Sequence, residues 1–147
     1  MRFQIWHAPL RVATGAFILN SGINKWKTTD EEVPKRIHEL ASNAYPQFES
    51  VDPKMFTKSL AGAEIALGAA LLTPFVSPAA AGAALTAFSG GLVGLYLRTP
   101  GMREDGSLRP SQNGTAVAKD IWMLGIGTAL VLDAITSKAK RLVPGKK

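Results

Sequence analysis

The chain has 147 residues, a net charge of +6 and no cysteine. That is enough for one domain, and it excludes disulfides, thiolate-ligated iron–sulfur clusters and dithiol relays. The cations flank apolar runs and crowd the C-terminus without forming a basic face interleaved with aromatics, so they point to lipid head groups and not to nucleic acid.

A mean hydropathy of only +0.09 conceals a partition. Charge is almost absent from the apolar runs and dense between them. The first run, about 8–23, carries Pro9 in its first turn, where a missing N–H costs nothing. Arg11 lies about one turn in and is expected to snorkel to the head groups. The run resembles a signal peptide in its Arg2, Arg11 and apolar stretch, but no small-residue cleavage site closes it, and Asn20, Asn24 and Lys25 follow. It is read as an uncleaved first span.

Between Thr28 and Lys58 the chain is polar. Thr29 and Glu32 have capping-box spacing. Val33, Ile37, Leu40, Ala41 and Ala44 then recur at helical spacing opposite charged residues. This predicts an amphipathic helix over about 30–44, lying on the bilayer surface or against the bundle, with His38 on its solvated face. Tyr45-Pro46 ends it.

Asp52-Pro53 and Ser77-Pro78 are cap-and-proline starts. They open a second span, about 57–75, and a third, about 78–98, which is free of charge from Val76 to Leu97. The short link between them predicts a tight antiparallel hairpin. The third span is rich in small residues, and Gly90 and Gly94 form a G-x-x-x-G pair. Such a pair suits a helix-packing face within the bundle or, alternatively, a homo-oligomer seam. A turn-rich loop, 101–114, leads to the fourth span, about 115–136, with Lys119 and Asp120 in its first turns and Asp133, read as interfacial, in its last. A basic tail, 137–147, follows.

These elements predict an all-α fold: an integral membrane four-helix bundle with a short amphipathic interfacial helix between the first and second spans. The concentrated basic tail beside a span favours cytoplasmic termini. Up-and-down threading brings Asn24 and Lys25, Glu64, and Lys119 and Asp120 to one level. A carboxylate inside a span costs about 2.5–3.5 kcal/mol on insertion scales unless it is paired, protonated or facing water. In one reading Glu64 pairs with Lys119 or Lys25, or stays neutral against Asn24, and holds the helices in register. In the other, the cluster lines a cavity for a proton, a quinone head group or a small polar ligand. Asp120 reads as a cap or interfacial residue. No metal-ligand spacing is present, and neither His7 nor His38 falls in an apolar centre.

Three stretches resemble the DoxX-like family of small four-span membrane proteins: Leu10 to Lys25 with its Arg, Gly and closing S-G-x-x-K; Ala61-Gly-Ala-Glu-Ile-Ala-Leu-Gly68; and Lys119-Asp-Ile-Trp-Met-Leu-Gly125. The resemblance covers about 8–136, and the segment 28–58 is longer than the family pattern. It implies a multi-pass protein of the bacterial cytoplasmic (inner) membrane that serves quinone-linked redox assemblies. Some relatives use cysteine pairs, and that chemistry does not transfer to a chain without cysteine. The expected role is a non-catalytic accessory subunit of a larger respiratory or redox complex, with no cofactor bound directly and a quinone nearby. The alternatives are a small proton-coupled or small-molecule transporter using Glu64, and a quinone-interacting oxidoreductase subunit.

Overall fold

A computed structural model describes the backbone over residues 5–142 and the side chains over 5–139. Among the described residues the chain is all-α, with no strand beyond an isolated bridge between Arg103 and Pro110. The helices are α1 (His7–Lys27), α2 (Glu32–Ala44), α3 (Pro53–Leu72), α4 (Pro78–Arg98), a single turn α5 (Thr115–Ala118) and α6 (Ile121–Leu142), with a 3-10 turn at Pro46–Phe48 after α2. Arg2 and the end of the basic tail, 143–147, lie outside the described residues.

Three helical segments are long and apolar enough to cross a membrane: Pro53–Leu72, Pro78–Arg98 and Thr115–Ala139. Helix α1 has the length, at 21 residues, but is not among them. Three polar side chains in its first half point inward: His7, Arg11 and Thr14 are all buried.

Local chemistry sets the helix starts. The Asp52 carboxylate accepts from the Met55 N–H at 2.9 Å, and the Ser77 hydroxyl accepts from the Ala80 N–H at 3.2 Å, each with proline in the first helical position. The capping box at α2 does not form. The Glu32 N–H donates instead to Asp30 at 2.9 Å, which leaves Thr29 outside the cap and starts the helix two residues later than its periodicity suggests.

The helices pack as two pairs, α1 along α3 and α4 along α6, with α2 laid across α3 and α4. Close approach depends on glycines. A Cβ on Gly68 of α3 would stand 2.7 Å from the backbone N of Leu19, and one on Gly127 of α6 would stand 2.7 Å from the backbone N of Thr86. Of the G-x-x-x-G pair, Gly94 makes room for the Tyr45 hydroxyl at the α2 end, whereas a Cβ on Gly90 would meet nothing within 4 Å. The reason is rotational: α4 turns Gly82, Leu85 and Ser89 toward α6 and the core, and leaves Gly90 on the far side.

The predicted α3–α4 hairpin is also corrected. The link is short, but the two helices make few contacts along their lengths. Their turn is held by Arg11, which does not snorkel. Its guanidinium is buried and donates to the carbonyls of Leu71 (2.8 Å), Ala70 (2.9 Å), Thr73 (2.7 Å) and Val76 (3.1 Å). The first three are carbonyls that the end of α3 leaves without helical partners, Val76 belongs to the turn, and a cation there also meets the negative end of the helix dipole. At the same end of the bundle, buried His7 of α1 lies 3.1 Å from Asp133 of α6, tying the two pairs together. Asp133 is therefore a cross-helix partner and not merely interfacial.

Candidate functional site

Where the pairs separate, toward the α2 end, they enclose a cavity of about 780 Å³. Ile18, Leu60, Phe88 and Leu92 form apolar walls, while Ile37 and Leu40 of α2 form a roof. The charged lining is gathered in one cluster with Ser21: Ser21 and Lys25 from α1, Glu64 from α3, and Lys119 and Asp120 from the break between α5 and α6, with Tyr45 and Ser59 as the other polar lining residues.

The centre of the cluster is an ion pair. The Lys25 amine donates to both Glu64 oxygens at 2.9 Å and to the Ser21 hydroxyl at 2.6 Å. Three donors meet three acceptors, so the ammonium is saturated. The helix approach that allows this comes from Gly22, where a Cβ would be 2.9 Å from the Glu64 Cβ. Glu64 is 6% exposed and Lys25 only partly buried, so the pair sits at the cavity wall with its carboxylate the deeper partner.

Lys119 does not pair with Glu64. Its amine sits 5.6 Å from the centre of the Phe17 ring, within cation–π range. Phe17 in turn meets Trp122 edge-on at 6.2 Å, and all three side chains are exposed at the cavity's mouth between α1 and α6. The fourth apolar segment breaks at this point. Asp120 N–H bonds to Val117, Trp122 to Lys119 and Met123 to Asp120, all three residues back, where a continuous α-helix would bond four back. The segment that starts at 115 is thus made of two helices, α5 and α6, joined at this break. Asp120 is half-buried, lies within electrostatic range of Lys25 and Glu64, and receives no hydrogen bond from the described residues. Asn24 is exposed and off the cavity, because it lies on the outer side of α1's last turn.

Several contributors carry no strong sequence signal. Tyr45 lines the cavity and donates its hydroxyl to the Gly91 carbonyl at 2.8 Å, fastening the end of α2 to α4, with the Arg98 guanidinium 5.0 Å over its ring. His38 does not face solvent. It is half-buried, 2.8 Å from the Phe48 carbonyl and edge-on to Phe56. Ser21 stands one turn before Lys25, a spacing that marks a helix neighbour but not its use. At the other end of α2, the Lys54 amine is 2.8 Å from Glu31. The hydrogen bond and charge of Lys54 hold the Glu31 carboxyl below its ordinary range. Among the described residues no cluster of three or more metal-ligating side chains occurs. No protein-family model, curated protein or solved structure matches the chain.

Proposed function

We propose that this chain is a four-span membrane protein, with α1 as the fourth crossing helix and α2 at the interface, that binds an apolar small molecule with a polar head group. The observation that carries this reading is the segregation within the cavity. A space of about 780 Å³ has apolar walls and places its charged groups in one cluster at the α1, α3 and α5–α6 wall. Volumes of about 300–1,000 Å³ with few, convergent polar groups are those of small-molecule sites. A buried carboxylate with a saturated ion-pair partner is costly as mere helix glue, and it supplies a fixed field at which a head group orients. A quinone ring on an apolar tail is one such molecule. A proton carrier using Glu64 alone is less well supported, because Lys25 already engages both of its oxygens.

As an accessory subunit of a larger redox complex in a bacterial inner membrane, the protein would present this ligand to its partner. The outer side of α4 supports that reading: Gly90 is open, and small residues permit close approach of another helix.

The test uses the full chain in lipid nanodiscs, with a decyl-substituted benzoquinone as probe. Retention of the tritium-labelled probe above that of empty nanodiscs is the readout. The expected result is saturable retention that is lost in Leu92→Trp, which fills the cavity. Retention no greater than that of empty nanodiscs, or unchanged by Leu92→Trp, overturns the reading.

A further inference from the structure

Resting on that cavity reading, we propose that the preferred ligand carries an electrically neutral head group with a hydrogen-bond donor beside an acceptor, of the hydroxyl-bearing class. The argument is one of charge and of unmet hydrogen bonds. Four formally charged groups line the cavity: Lys25, Lys119, Glu64 and Asp120, two of each sign. Lys25 and Glu64 satisfy each other, with Ser21 taking the third proton of the amine. Lys119 and Asp120 are left over. They are adjacent at the helix break, and no described residue hydrogen-bonds either side chain. The Lys119 amine rests only on the face of Phe17.

A cationic head would meet Asp120 but also two ammonium groups, and an anionic head would meet Lys119 but also two carboxylates. Either would add net charge to a cluster now formally neutral, beside apolar walls where unpaired charge is expensive. A neutral hydroxyl serves both groups at once. Its oxygen accepts from Lys119, and its proton is donated to Asp120. A head that only accepts, such as a carbonyl, serves Lys119 and displaces water from Asp120 without replacing the lost donor. A hydrogen bond to a charged group in such a site is worth roughly 10- to 100-fold in affinity.

The test compares probes on one carbon skeleton in nanodiscs holding the full chain: a decyl hydroquinone, kept reduced, against the matching decyl benzoquinone, with dodecylammonium and dodecanoate as charged controls. The hydroquinone is expected to bind at least about tenfold more tightly than the benzoquinone, with both charged amphiphiles weaker. In Asp120→Asn the preference should shrink or invert, since the amide can donate to a carbonyl. Lys119→Met should weaken both ring probes alike. Equal or reversed affinity of the two ring probes for the unaltered protein overturns the inference, as does tighter binding of either charged probe, and both leave the cavity reading intact. The separate failure is recognisable: if no probe's binding responds to Leu92→Trp, the cavity reading itself falls.

Discussion

Lys25 and Glu64, 39 residues apart, meet with the amine 2.9 Å from both carboxylate oxygens. This contact joins the last turn of α1 to the middle of α3 at the cavity wall. Because Glu64 is the deeper partner, the two single substitutions are not equivalent. Lys25→Met strands a buried carboxylate and is expected to cost about 3 kcal/mol, at the low end for a buried pair because Lys25 keeps some solvent access. The double variant Lys25→Met/Glu64→Leu should recover most of that loss. Unfolding in mild detergent measures the cycle, and strictly additive single effects would count against a coupled pair.

Arg11 anchors the α3–α4 turn through four carbonyls that no helical N–H reaches. Lysine cannot reproduce a planar fork spread over several acceptors. Arg11→Lys is therefore expected to lose about 1.5–3 kcal/mol of stability despite keeping the charge. Retained stability in Arg11→Lys would show that charge at the helix end, and not geometry, holds the turn.

Glycine positions separate the inner seam of α4 from its outer side. Gly127→Ala places a methyl 2.7 Å from the Thr86 backbone N and should cost about 1–3 kcal/mol, since backbone cannot yield as a flexible side chain does. Gly90→Ala, with nothing within 4 Å, should leave the isolated chain unchanged or slightly stabilised. If Gly90→Ala leaves thermal unfolding unaltered yet disrupts association in native membranes, the outer side of α4 is a contact surface.

The Glu31–Lys54 bond fastens the start of α2 to the first turn of α3. Glu31 is depressed from its ordinary 4.5, so its contribution is present above that value and is lost as pH falls through the lower folded value. Protection of α2 amides against hydrogen exchange should therefore show an acid limb, weakening as pH falls through that range. Glu31→Gln should remove the acid limb. An unchanged acid limb in that variant would assign it to another carboxylate.

Much of this architecture is readable from the chain because it depends on residues within a turn of one another. Asp52-Pro53 and Ser77-Pro78 start helices wherever they stand, since cap and first-turn proline act locally. The apolar segments follow from composition over a helix length, and Glu64 stands out inside one by contrast. What composition does not reveal is rotation about each helix axis. G-x-x-x-G marks Gly90 and Gly94 as able to pack, yet α4 presents Gly82 to α6 instead. His38 has the periodicity of an outward residue but turns toward Phe56.

By itself the sequence determined that there are apolar helices, where they start, and that the second of them carries Glu64 inside it. Only the tertiary structure decided that Lys25 and not Lys119 answers that acid, that Arg11 seeks carbonyls, and that His7 reaches Asp133 from 126 residues away. These outcomes turn on which helices pair and how far each is rotated. That is settled by backbones closing over glycine against a shared core, a long-range fit that short stretches of chain do not encode.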